Sequence, residues 1–141
     1  MKITNRRARH DYHIAERLEA GIVLTGAEVK AVRAKKVDFL SSYAKPIGGE
    51  MFLLNLHIGA EDKADTRRTR KLLLNKKEII GIQTKIKSRK LTAIPLSLYT
   101  KGRKVKLDLG LARGKRKHEK RGQLKKRDID REIDKELSSR T

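Results

Sequence analysis

The sequence predicts a mainly β fold with flanking helices. A small antiparallel barrel, closed or nearly so, is expected over residues 1–113, with a basic C-terminal tail over 114–141. Three observations carry this. Short runs alternate apolar and polar residues between turn signals, as in "KVKLDLGLA". Helical signals are confined to two segments of the first 113 residues. The composition also changes at Gly114, after which only Leu124, Ile129, Ile133 and Leu137 are large and apolar. A chain of 141 residues suffices for one such domain plus a tail.

Residues 1–10 are basic and mostly polar. "YHIAERLEAGIVL", residues 12–24, is rich in β-branched and aromatic side chains and reads as strand. Thr25 and Glu28 have capping-box spacing and open a short helix. Val29 and Val32 share one face of it, and Arg33, Lys35 and Lys36 sit near its end, where cations suit the helix dipole. "SYAKPIGGEMFLLNLHI", residues 42–58, reads as a hairpin turning at Gly48-Gly49. Phe52, Leu54, Leu56 and Ile58 are expected on one face, with Leu53, Asn55 and His57 on the other. Pro46 marks an edge strand.

After the polar loop "GAEDKADTRR", a second helix is expected from Thr69, its N-cap, to about Ser88. Leu72, Ile79, Ile82 and Ile86 make its apolar stripe. "LTAIPLSLY" and "KVKLDLGLA" follow as strands around the turn "TKGRK". Val105, Leu107, Leu109 and Leu111 face inward, and Lys104, Lys106 and Asp108 outward. Five or six short strands with two helices suit an OB-like barrel, a common RNA-binding host.

From Arg113 to Arg127 nine Lys and Arg stand against one acid, Glu119, and from Asp128 onward five acids mix with three bases. Ile129, Ile133 and Leu137 form only a thin helical stripe, and the Asp128–Arg131 and Arg131–Asp134 pairs add about 0.2–0.5 kcal/mol each. The tail is therefore expected to be disordered when free and helical when polyanion surrounds it.

Charge narrows the function. Against 17 Asp and Glu stand 37 Lys and Arg, a net charge of +20. Such an excess opposes a compact state by self-repulsion and calls for nucleic acid or an anionic surface. No apolar run nears the ~20 residues a bilayer span needs. The charged N-terminus lacks the apolar core of a secretory signal, so a cytoplasmic location is expected. No cysteine is present, which removes disulfides and thiolate zinc sites.

His10, His13, His57 and His118 are scattered and form no H-E-x-x-H. No G-x-S-x-G, P-loop or G-x-G-x-x-G occurs, and Asp108 is read as a lone acid. Neither an enzyme nor a metal or other cofactor is expected. Basic clusters recur at 6–9, 67–71, 85–90, 101–106 and in the tail. With two Phe, three Tyr and no Trp, they point to folded RNA read by shape rather than to stacked single strands. Glu19 reads equally as a solvated turn residue or as an acceptor for base amino groups and ribose hydroxyls.

The blocks "NRRARHDY", "EAGIVLTGAEVKAVRA", "TRKLLLNKKEI", "LTAIPLSLY", "GLARGKRKHEKR" and "KKRDIDREI" occur in this order. Together they closely resemble the small protein B (SmpB) family, the tmRNA-binding proteins of bacterial trans-translation. The resemblance runs from about Asn5 to Ile133. It implies an OB-like barrel that binds the tRNA-like domain of tmRNA and delivers it to stalled ribosomes. It also implies a tail that becomes helical in the empty mRNA channel, and a nascent chain tagged for degradation. Alanyl-tRNA synthetase and elongation factor Tu would act only indirectly, through tmRNA, and the protein is expected to be a monomer. The RNA-contacting set implied by the resemblance is Asn5, Arg6, His10, Glu19, Leu73 and Lys106. In the tail, Lys115, His118, Lys120, Arg121, Lys125, Arg127 and Arg131 would meet the ribosome, with His118 near the decoding centre.

Departures exist. Ala27 stands where the family usually has Thr, and "DFLSSY" replaces the usual "NL-x-DSY". Glu119 replaces an Asp. The loop 59–68 is shorter than typical, which puts its role in doubt. Two rival readings remain: a constitutive ribosomal or translation-factor-like OB protein, and a non-specific nucleic-acid compactor.

Overall fold

The computed structural model describes residues 1–61 and 65–114. Its elements are β1 (Lys2–Thr4), α1 (Arg6–Asp11), β2 (Tyr12–Ile22), α2 (Gly26–Arg33), β3 (Val37–Asp38), β4 (Tyr43–Ile47) and β5 (Glu50–Leu54). They continue with β6 (His57–Ile58), β7 (Arg70–Leu73), α3 (Lys76–Arg89), β8 (Thr92–Lys101) and β9 (Lys104–Gly114).

The main sheet runs β1-β8-β4-β5-β7-β2-β9, and β9 pairs back onto β8. Six strands therefore close a barrel in which every pairing is antiparallel. The expected mainly β, OB-like architecture is present. β4 meets β8 only at Ala44–Ala93, and β1 covers the same edge of β8 further along, at Ser97–Tyr99. Pro46 lies beyond that single pairing, where β4 is an edge and a missing N–H costs nothing.

Alternation fills the interior. Ala20, Met51, Leu53, Leu72, Leu98, Leu107, Leu109 and Leu111 are buried together, and α2 and α3 add Ala31, Val32, Ile79 and Ile82 to the same core. The capping box of α2 is formed: Thr25 Oγ1 accepts from Glu28 N, and Glu28 Oε1 accepts from Thr25 N. Val32 is fully buried and Val29 packs on the core from a partly exposed position.

Three local expectations are corrected. The second helix begins at Lys76, not Thr69, and its N-cap is Asn75, which forms its own capping box with Glu78. Residues 70–73 are strand β7, with Arg70 and Leu72 buried and Lys71 and Leu73 exposed, a period of two. The stripe Ile79–Ile82–Ile86 survives, while Leu72 belongs to the barrel. In the hairpin, Met51 and Leu53 face inward rather than Phe52 and Leu54. Asn55 then adopts φ +61°, which ends β5 and resets the phase, so that Leu56 and Ile58 are buried as well. Finally, β1 and α1 fall where no regular structure was expected.

α1 roofs a second, smaller cluster on the outside of the barrel: Ala8, Tyr12, Ile94, Leu96 and Ala112. Gly110 makes it possible, because a Cβ there would stand 2.8 Å from Leu96 Cδ1. Beneath α2, Arg70 is completely buried. It donates to Glu28 Oε2 at 2.7 Å, Leu56 O at 2.6 Å and Thr66 O at 3.0 Å. Arg68 closes a second ion pair onto Glu28. On the other side Gly59 N–H donates to Lys36 O and Lys36 Nζ pairs with Glu61, so the loop after β6 is tied at both described ends. Among the described residues no helix is long and apolar enough to cross a membrane. The expectations for the tail fall on 115–141, outside the described residues.

Candidate nucleic-acid interface

The outer face of β7–β2–β9–β8 gathers polar side chains that the sequence scatters. Pairing places Leu73 beside Gly21, Gly21 beside Lys106, and Lys106 beside Tyr99. These four form one row across four strands, each step about 4.8 Å. Two residues along, Glu19 pairs with Asp108 and Asp108 with Ser97, which makes a second row on the same face. Gly21 lets Leu73 lean over the sheet: a Cβ at 21 would meet Leu73 Cβ at 3.1 Å.

Leu73 is 54% exposed, unusual for a leucine with barrel neighbours. This exposure arises from its outward position on β7. Lys106 is on the outward face of β9, as expected. Glu19 is exposed and held in place. Tyr99 Oη donates to its Oε2, and Lys101 Nζ lies 3.5 Å from Oε1. The hydrogen bond from Tyr99 leads in holding the Glu19 carboxyl below its ordinary value, helped by Lys101 and Lys106. Burial, and then the same bond, push the Tyr99 hydroxyl up to about 12. At neutral pH the pair is therefore a neutral phenol donating to a carboxylate.

Three of the six expected contacts, Glu19, Leu73 and Lys106, converge on this face. The other three lie beside it. Asn5 precedes α1 and is anchored: its backbone N–H donates to Leu96 O and its Nδ2 to Pro95 O at 2.7 Å. Only its Oδ1 remains to accept. Arg6 and His10 are one turn apart on α1, so they share a helix face. Arg6 is exposed, whereas the His10 ring is largely covered, with Nδ1 3.1 Å from Asp11 Oδ1. Lys115, His118, Lys120, Arg121, Lys125, Arg127 and Arg131 lie outside the described residues.

Tyr99 and Arg17 were not singled out from the sequence, and Lys101 only as part of the 101–106 basic cluster. The turn "TKGRK" was the available signal: with Gly102 and Arg103 at its tip, counting back sets Tyr99 opposite Lys106. Asp108, read as a lone acid, has Glu19 as its cross-strand neighbour and Arg17 Nη1 at 4.0 Å. No group of three or more His, Cys, Asp and Glu with metal-binding geometry stands among the described residues.

The tail leaves from the far end of the same strand. Gly114 pairs with Tyr12, eight residues along β9 from Lys106, roughly 26 Å at about 3.3 Å per residue.

Comparisons with known proteins fit this geometry. The SmpB protein family model matches residues 2–139. The SsrA-binding protein of Carboxydothermus hydrogenoformans is 45% identical, over 96% of this chain and 95% of its own. That of Streptococcus pyogenes serotype M3 is 44% identical, over 94% and 89%. That of Corynebacterium glutamicum strain R is 45% identical, over 97% and 87%. A chain from the solved structure "tmRNA-SmpB: a journey to the center of the bacterial ribosome" superposes with TM-score 0.70 at 49% identity, covering 82% of this chain and 85% of that one. A match of this extent settles the family: the chain belongs to the SmpB proteins.

Proposed function

We propose that this chain binds the tRNA-like domain of tmRNA on the outer face of β7–β2–β9–β8 and carries it to stalled ribosomes for trans-translation. The observation that carries the reading is the convergence of Glu19, Leu73 and Lys106 on one face, with Asn5, Arg6 and His10 beside it. The face offers a lysine for phosphate, a fixed carboxylate for base amino or ribose hydroxyl groups, and an apolar contact for an exposed base or sugar.

Gly114, the root of the tail, pairs with Tyr12 at the α1 end of β9, eight residues along the strand from Lys106. In this reading Lys115, His118, Lys120, Arg121, Lys125, Arg127 and Arg131 engage the decoding centre and the vacant mRNA channel. The chain supplies binding and shape in the cytoplasm. Peptidyl transfer belongs to the ribosome, aminoacylation to alanyl-tRNA synthetase, and elongation factor Tu enters through tmRNA.

The test separates the two surfaces. Glu19→Gln and Lys106→Gln are expected to weaken binding to the tRNA-like domain in a gel-shift titration. Removal of residues 115–141 is expected to leave that binding within about twofold while abolishing tagging in a reconstituted translation system. Equal loss of tRNA-like-domain binding in the truncated protein would contradict the division.

A further inference from the structure

Ser97 is an outward-facing residue of β8, yet it is 2% exposed, and its Oγ finds no hydrogen-bond partner among the described residues. Buried hydroxyls are almost always paired, so an unpaired one on a binding face calls for a ligand. A bulge between Pro95 and Ser97 sets its position, directly beside Asp108.

Ser97 lines a small cleft with Lys2, Thr4, Asn5, Arg9, Arg17 and Asp108, at the edge where β1 pairs with β8 and α1 begins. Its volume is about 20 Å³, room for one hydroxyl or one water. The groups around it are specific in kind. Asp108 only accepts. The serine hydroxyl both donates and accepts. Asn5 gives one of its two Nδ2–H donors to Pro95 O and offers Oδ1 as an acceptor. Arg9 and Arg17 are cations on exposed positions. The small group that fits must donate to a carboxylate and accept from a hydroxyl, with an anion next to it. A ribose 2′-hydroxyl with its adjoining phosphate meets all three conditions.

We propose that this cleft is a ribose–phosphate subsite for an RNA backbone, in which Ser97 and Asp108 hold a 2′-hydroxyl and Arg9 and Arg17 the adjoining phosphate. The proposal rests on the tmRNA-binding reading and extends its surface. Asp108 is the cross-strand neighbour of Glu19, so the subsite continues the second row toward α1. It would let the face tell RNA from DNA of the same shape.

The test uses the full chain and a pool of the tRNA-like domain carrying random 2′-deoxy substitutions. Bound and unbound molecules are separated and the substituted positions read out. With the natural protein, 2′-deoxy substitution is expected to be excluded from the bound fraction at one or two nucleotides. With Ser97→Ala the exclusion at those nucleotides should vanish, and affinity should fall by up to about tenfold. Asp108→Asn repeats the test should Ser97→Ala unfold. Arg9→Gln should lower the salt slope of binding by about one, the loss of a phosphate contact. Exclusion that persists unchanged in Ser97→Ala and Asp108→Asn, or no sensitive nucleotide with the natural protein, would overturn the subsite and leave only water in the cleft. The parent reading fails separately, if the natural protein does not bind the unmodified domain in excess bulk tRNA.

Discussion

Glu28 ties three parts of the chain through one carboxylate. It caps α2, pairs with the buried Arg70 of β7, and pairs with Arg68 in the loop before β7. Burial alone would raise its pKa, but hydrogen bonds from Arg68, Thr25 N–H and Arg70 outweigh this and hold it below its ordinary value. The stabilisation is therefore present above the unfolded carboxylate pKa and lost as pH falls through the lower folded value. Acid titration followed by circular dichroism should show Glu28→Gln losing less stability than the natural chain between neutral pH and the acid range. At neutral pH, Glu28→Ala leaves Arg70 buried without its counter-charge, an expected cost of about 3–5 kcal/mol in urea unfolding. Tyr99→Phe is the contrasting substitution. It removes one hydrogen bond between a half-buried tyrosine and an exposed carboxylate, so folding should change little. Glu19 should titrate closer to its ordinary value by NMR, and RNA affinity should drop about two- to tenfold.

Gly110 sets how α1 sits on the barrel. A methyl at 110 would press Leu96 and the cluster under α1, with an expected cost of about 1–3 kcal/mol. In Gly110→Ala, hydrogen exchange should accelerate in α1 while the amides shared by β2 and β9 keep their protection. Legibility in the sequence also divides by element. The β8–β9 hairpin was readable because β9 alternates strictly from Lys104 to Leu109 and the turn is short. α2 was readable from Thr25 and Glu28 alone. β7 was misread because "RKLLLNKKEII" satisfies a helical stripe as well as a strand, and only the Asn75–Glu78 capping box marks the boundary. The phase reset at Asn55 depends on one positive φ. α1 is six residues long and mostly charged, and it is defined by docking rather than by propensity. The candidate face needed β2, β7, β8 and β9 side by side. That is a matter of non-local closure, so residue spacing could not bring Glu19, Leu73 and Lys106 together; the family resemblance named them.

At the scale of the molecule, a net charge of +20 gives affinity for any polyanion, and affinity alone identifies no partner. What distinguishes a specific reader is contact that survives when phosphate attraction is shared by competitors. The barrel presents candidates for such contacts on one face: an exposed leucine of β7 leaning over Gly21, a carboxylate of β2 fixed by Tyr99, and a lysine of β9. The most direct test is equilibrium binding of the full chain to the tRNA-like domain of tmRNA near physiological salt, in a large excess of bulk tRNA. The account predicts that binding persists under competition and is lost with Glu19→Gln and Leu73→Ala combined. Binding that bulk tRNA abolishes, or that ignores both substitutions, would mean that charge alone holds the RNA and would contradict a specific tmRNA-reading face.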